Sequence, residues 1–278
     1  MDDFRERPEI RISPEGFPVR NLFRDVAAYR ELFVAFFIRD VRLRYKQTLV
    51  GVLWVALQPL CFITIFTFLM TRAGAVPTNG MPYFIYALAA YVPWQVFSKG
   101  LGEGSNCLVT SSSLISKIYF PKVLLPIATV CGGLIDAAVT LVILLVMMLV
   151  YGVVPEPGFA LAVLAILPAV LAAVGATLWL APMNVIFRDV RIVMPFLSQI
   201  WMFLTPVFYP LTMVPEKLHW FYALNPMVFP VEVFRWAALG TPLVDWRLLL
   251  LSASVLAAIF AGGLVFFRKL ESRMVDYI

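Results

Sequence analysis

The chain has 278 residues, of which 62% are hydrophobic and 14% charged, against about 45–50% apolar and about 25% charged in ordinary soluble domains, so a water-soluble globule is excluded. At ~20 residues per membrane helix, six crossings use about 120 residues, which leaves a leader, connections and a tail but no soluble domain of normal size. The net charge of +5 comes from 22 Lys and Arg against 17 Asp and Glu, and its placement is more informative than its size.

Residues 1–22 read as a polar cytoplasmic leader: Met1 to Arg20 holds four arginines and no apolar core of signal-peptide kind. Residues 23–46 read as an amphipathic helix lying in the cytoplasmic interface. Its apolar core, Leu32 to Ile38, is too short to cross, and Arg39, Arg42 and Lys46 follow at helical spacing, a stripe able to face phosphates. The plainer reading is a basic flank that only sets topology. Residues 47–270 read as an all-α integral membrane domain of six transmembrane helices, with spans at 49–70, 82–99, 123–151, 159–181, 192–210 and 247–267, and 271–278 as a cytoplasmic tail. The third span contains one charge, Asp136, which hydrocarbon penalises; it is either functional or bonded to Ser, Asn or backbone groups of a neighbouring span. The fifth contains Pro195 and Pro206, tolerable where neighbours satisfy the freed carbonyls. The apolar stretch 211–245 reads as short external helices, broken at Asn225, Pro226 and Pro230, that dip back into the outer leaflet.

With this topology eighteen Lys and Arg fall on one side of the membrane and four on the other, so both termini are expected in the cytoplasm. Tyr83, Tyr86, Tyr91 and Trp94 in the second span, and Trp201, Phe203, Phe208 and Tyr209 around the fifth, read as an interfacial belt. A few rings, Trp54, Trp201, Phe208 and Tyr209 among them, are candidates to line a path for sugars, whose C–H faces suit flat aromatic surfaces.

No phosphate-cradling G-x-x-x-x-G-K-[ST] loop occurs, nor any nucleophile or H-E-x-x-H motif. The single histidine, His219, and the scattered Cys61, Cys107 and Cys131 point to no metal site and no disulfide framework. The chain therefore reads as a non-enzyme that binds no cofactor of its own, and energy for any transport must come from another subunit. Six helices enclose little lumen, so a hydrated path needs two copies about a two-fold axis, with spans one and five as walls.

Six strings carry a resemblance: RDVRLRYKQTLVGVLWVALQPL (39–60), SLISKIYFPKVLLP (113–126), NVIFRDVR (184–191), TPVFYP (205–210), LNPM (224–227) and VEVFR (231–235). In this order, over residues 22–270, the chain resembles the ABC-2 type permeases that export bacterial surface polysaccharides. The resemblance implies the ABC-2 (type V) exporter fold, with an N-terminal cytoplasmic interface helix and external re-entrant gate helices. It also implies a homodimer and two copies of a Wzt-like nucleotide-binding ATPase subunit, which would hold ATP and Mg. Leu114, Lys117, Tyr119 and Phe120 would fall in the segment coupled to that ATPase, and Asn225, Pro226, Glu232 and Arg235 in the external gate. Arg39, Arg42 and Lys46 would meet the diphosphate of a lipid-linked glycan. The expected function is export of undecaprenyl-diphosphate-linked O-antigen across the inner membrane, with no nucleic-acid partner. Capsule, teichoic-acid or smaller lipid and drug export are the alternatives.

Overall fold

The computed structural model describes residues 27–45, 52–74, 76–78, 80–155, 158–271 and 273–276. The expected leader (1–22), the first residues of the expected interface helix, Lys46, the opening of the first expected span and parts of the tail fall outside them. Regular structure among the described residues is helical throughout. In chain order it comprises α1 (Arg30–Tyr45), α2 (Val52–Ala73), α3 (Tyr83–Lys99), a π-helical turn (Gly100–Gly104), α4 (Ser105–Thr110), α5 (Ser112–Ile115) and α6 (Leu124–Val150). There follow α7 (Phe159–Leu164), α8 (Ile166–Ile186), α9 (Asp189–Leu204), α10 (Glu216–Ala223), α11 (Val228–Leu239) and α12 (Trp246–Glu271). Among the described residues four stretches are long and apolar enough to cross a membrane: Leu53–Arg72, Leu124–Val150, Phe159–Ile186 and Trp246–Glu271. At 17 and 16 residues, α3 and α9 are shorter than the ~20 that a straight crossing takes.

The centre of the bundle is α3. Its sequence is apolar on all sides, the pattern of a helix enclosed by others, and Tyr83 through Phe97 are all buried. Around it pack α2, α6, α8 and α11. Tyr83, Tyr86, Tyr91 and Trp94 are thus core residues, which corrects the belt reading for this helix. Long α6 keeps Pro126 in its first turn, where backbone N–H groups have no helical acceptor to lose. It ends at Gly152, whose φ of 67° only glycine adopts freely. There Val153 N–H donates to Met148 O at 2.8 Å and Gly152 N–H to Leu149 O at 3.2 Å, satisfying two of the helix's last carbonyls.

Where α8 crosses α12, small residues let two backbones meet: Gly175 faces the backbone of Phe260, and Gly263 faces Gly175 O. Trp179 fastens the crossing by donating Nε1–H to Ile259 O at 3.0 Å, with its ring stacked on Phe266 at 4.6 Å between centroids. A methyl group on Gly175 would stand 2.9 Å from Phe260 Cα. We expect Gly175→Ala to cost about 1–3 kcal/mol by overpacking, read as an earlier thermal transition of the detergent-extracted protein; an unchanged transition would show that the helices part freely.

At the margin lie α2 and α9. Only 11% of the apolar window of α2 is buried, and it exposes Leu53, Trp54, Leu57 and Phe68. Likewise α9 exposes Ile192, Phe196, Ile200 and Phe203 along one face.

The fifth expected span, 192–210, is helical only to Leu204. Thr205 precedes Pro206, and a residue before proline is pushed out of the helical region; its φ and ψ are −98° and 139°. The carbonyls beyond it are taken by other elements: Pro206 O and Val207 O accept from Arg235, and Phe208 O accepts from Tyr83. Pro230 does not break the external segment as expected. It sits in the first turn of α11, where it removes no bond, and the break falls over Leu224 to Met227.

One end of the bundle gathers α1, residues 100–122, the α8–α9 connection and the C-terminal end of α12. Arg39 Nη2 lies 3.2 Å from Ser111 Oγ, Asn184 Nδ2 lies 3.0 Å from Ser105 O, and Lys122 N lies 2.8 Å from Glu271 Oε1. These segments carry most of the described Lys and Arg residues. At the other end Tyr83 donates to Phe208 O and Arg235 of α11 donates to Pro206 O.

Candidate functional site

At the basic end α1 packs on α6. Phe36 is its buried anchor, and the ring meets Phe120 at 5.2 Å between centroids. Arg39 lies over Phe36 with Cζ 5.3 Å from the ring centroid, 2.9 Å from Asp40 Oδ1 and 3.2 Å from Ser111 Oγ. Asp40 in turn accepts from Thr129 Oγ1 at 3.0 Å. The Arg39 guanidinium therefore helps to fix α1 on its neighbours while 36% of the side chain stays exposed. Arg42 is exposed and Lys46 lies outside the described residues. Val34 and Ile38, one turn apart, are also exposed, so α1 has one apolar face on the bundle and a second directed away from it, as a helix between protein and lipid would.

The segment from Leu114 to Phe120 divides its side chains. After the single turn of α5, Ile118 and Tyr119 stand 49% and 46% exposed, while Phe120 folds inward to 3%. Leu114 is half-buried and Lys117 exposed. The tuck is held from behind: Lys122 Nζ donates to Glu271 O at 2.9 Å, and Arg268 Nη1 reaches Glu271 Oε2 at 3.0 Å. Burial, then the Glu271 carboxylate, raises the Tyr119 phenol above its ordinary range, so it meets a partner as a neutral donor. Burial lowers the Lys122 ammonium below the ordinary lysine value, opposed by Glu271. The folded chain gives up that proton before an unfolded one, so the group's cost to folding is constant at low pH and is relieved as pH rises through the lowered value.

Mid-bundle, Asp136 is 1% exposed and its Oδ2 lies 3.1 Å from Lys99 Nζ, which also reaches Glu103 Oε1 at 2.8 Å. Its charge is met by a cation from the end of α3, beyond the Ser, Asn and backbone partners expected. One turn away Thr140 Oγ1 donates to Gln95 Oε1 at 2.6 Å. The two ties join α3 to α6. We expect Asp136→Leu to destabilise the protein by about 1–3 kcal/mol, because Lys99 keeps only the more exposed Glu103 as its counter-ion, and Asp136→Leu with Lys99→Met to recover most of that loss. A double variant that melts no later than the single one would show that the pair is not the cause.

At the opposite end Arg235 is fully buried. Its Nη1 lies 2.8 Å from Glu232 Oε1, its Nη2 2.6 Å from Pro206 O and 3.3 Å from Val207 O, and its Cζ 4.0 Å from the Tyr86 ring centroid. The α11 helix is thereby tied to the broken end of α9 and to α3. Asn225 makes a second knot: its Oδ1 accepts from Trp201 Nε1 and Met227 N, each at 3.0 Å, and its Nδ2 donates to Thr205 Oγ1 at 2.9 Å. Ser252 on α12 bridges Asn225 O and Phe229 N. Tyr209 Oη donates to Phe203 O at 2.6 Å and lies 2.9 Å from Tyr222 Oη. A hollow of about 180 Å³ lies here between Trp201, Phe221, Tyr222 and Pro226.

The residues expected in the gate and most of those expected along a sugar path thus form one connected group. Phe208 is 1% exposed within it, stacked on Phe66 at 4.1 Å between centroids, so its ring is core and not free surface in the protomer. Trp54 stands apart, 62% exposed on α2. Sequence reasoning missed the parts of Tyr83, Tyr86, Lys99 and Thr140. The all-round apolar pattern of α3 was the available signal that its tyrosines face inward.

Residues 31–239 match the ABC-2 type transporter family. The O-antigen export system permease protein RfbA of Myxococcus xanthus is 30% identical over 209 residues, covering 74% of this chain and 80% of that protein. A protein of the same name from Klebsiella pneumoniae is 24% identical over 250 residues, covering 89% and 95%. The polysialic acid transport protein KpsM of Escherichia coli is 26% identical over 252 residues, covering 87% and 94%. The family match extends from the start of α1 to the last residue of α11, and the chain belongs to the ABC-2 type transporter family of membrane transport components.

Proposed function

We propose that the chain is the permease subunit of an ABC transporter that exports an undecaprenyl-diphosphate-linked polysaccharide of the O-antigen class across the bacterial inner membrane. The observation that carries this reading is likeness, along most of the chain, to proteins named as O-antigen export permeases. Each protomer crosses six times, through α2, α3, α6, α7–α8, α9 and α12, with both termini cytoplasmic. The short α3 is lengthened by its π turn and α4, and α9 by the extended residues 205–210. The helices α10 and α11 dip from the outside as a gate, in which Asn225, Pro226, Glu232 and Arg235 set the geometry.

Two protomers enclose the path, with α2 and α9 as walls; their exposed apolar faces support this role. Trp54, Trp201 and Tyr209 border it and Phe208 backs it. Two Wzt-like subunits bind ATP and Mg²⁺ and meet Leu114, Lys117 and Tyr119, with Phe120 carrying the push to α1. Arg39, Arg42 and Lys46 draw diphosphate headgroups to the cytoplasmic interface. Deletion of the gene should abolish surface O-antigen and leave lipid-linked glycan inside, both reversed by the chain supplied with its ATPase. Loss of capsule with O-antigen retained would favour the second reading, capsular export, which the likeness to the polysialic acid transporter supports.

A further inference from the structure

Between α4–α5 and the α8–α9 connection, at the basic end, a cleft of about 660 Å³ opens. Its floor is built rather than incidental: Asn184, 2% exposed, donates Nδ2 to Ser105 O at 3.0 Å and to Asn106 Oδ1 at 3.2 Å. The latter bond uses Asn106 Oδ1 and leaves the Asn106 NH₂ group as a donor for the cleft. Arg188 and Arg191, three residues apart at the start of α9, line the same space, and among the described residues neither guanidinium has an ion-pair partner, the intervening Asp189 included. Ser112 adds a hydroxyl, and Val185 and Ile192 make the remaining wall apolar.

Two guanidiniums, an amide NH₂ and a hydroxyl thus line one cleft together with the apolar side chains of Val109, Val185 and Ile192. That arrangement suits an anion with several phosphate oxygens attached to an apolar chain. The first-turn N–H groups of α9 add to the positive potential. A single phosphate would engage one arginine fork; a diphosphate has oxygens for both. Volume agrees, since 660 Å³ lies within the ~300–1,000 Å³ usual for ligand clefts.

We propose that this cleft holds the diphosphate headgroup of the lipid carrier before export, an assignment that rests on the permease reading. Ser112 belongs to α5, the turn that leads into the exposed Tyr119, so an occupied cleft joins the ATPase-facing segment to α9, a proposed wall of the path. Loading of cargo is thereby sensed where the motor attaches.

The test uses the full-length chain co-purified with its ATPase, without nucleotide, in phosphatidylcholine nanodiscs titrated with radiolabelled undecaprenyl diphosphate. Arg188→Gln with Arg191→Gln should weaken binding by about tenfold or more, the loss of two charge-assisted contacts. Val109→Trp, at an exposed position lining the cleft, should do the same by filling it without changing charge. Lys269→Gln, at an exposed position of the same end, measures the general surface-charge contribution and should weaken binding less than the double substitution. Wild-type affinity in both cleft variants overturns the assignment, as does a Lys269→Gln loss equal to theirs. Phosphatidylglycerol binding that falls equally in the cleft variants makes this a bulk anionic-lipid site and also overturns it. So does inorganic pyrophosphate bound as tightly as the lipid. Absence of any binding to the wild-type complex counts against the permease reading itself.

Discussion

Arg235→Met should leave little folded protein. The guanidinium satisfies Glu232 and the carbonyls of Pro206 and Val207 in a fully buried position against Tyr86. Removing it strands a buried carboxylate, a loss of about 3–5 kcal/mol, and unpairs two carbonyls at about 1–3 kcal/mol each. Set against a net stability of about 5–15 kcal/mol for a typical fold, that is most of the margin. Arg235→Lys keeps the charge but not the planar fork that reaches three acceptors at once, so it should fall between the two. Arg235→Met with Glu232→Leu removes the stranded charge but not the orphan carbonyls, and should recover only part of the loss. Yield of monodisperse protein in detergent and its melting temperature rank the four. Equal melting of Arg235→Met and the wild type would mean that α11 is held by packing alone.

The elements legible in the sequence were those whose signal is local. Long apolar runs marked α2, α6, α7–α8 and α12, and the density of Lys and Arg marked the segments that gather at one end. What hydropathy could not supply was the partner of each polar group. Asp136 stood out as costly, yet hydropathy does not show that its cation, Lys99 at the end of the second expected span, turns toward α6; beyond it the π turn at Gly100–Gly104 carries the chain on past α8, where Thr177 Oγ1 donates to Gly100 O at 3.0 Å. Pro206 was visible as a helix breaker, but the helix was carried past it because the acceptance of its freed carbonyls by Arg235 lies 29 residues away in sequence.

The candidate site follows the same rule. Leu114, Tyr119, Asn225 and Arg235 were nameable from the strings in which they occur, but the strings do not separate a residue that faces a partner from one that holds the first in place. Arg39 and Arg42 look equivalent at helical spacing. Only Arg39 engages Asp40 and Ser111, because the face of α1 set by Phe36 turns it toward α4 and α6.

That separation of roles gives opposite expectations for two adjacent aromatics. Tyr119→Ala truncates a 46% exposed ring. It should leave the melting temperature within ~0.5 kcal/mol of wild type while weakening the contact with the ATPase by about 2 kcal/mol, the usual cost of losing an aromatic interface anchor, or about thirtyfold in affinity. Phe120→Ala instead empties a buried site against Phe36. It should cost about 3–5 kcal/mol of stability and loosen α1 from the bundle. In the reconstituted complex, cargo-stimulated ATP hydrolysis should fall for Tyr119→Ala in proportion to lost docking, and saturating ATPase subunit should restore it. For Phe120→Ala excess ATPase should restore nothing, because the docked segment no longer moves α1. If both variants respond alike to added ATPase, the exposed tyrosine and the buried phenylalanine do not divide contact from transmission.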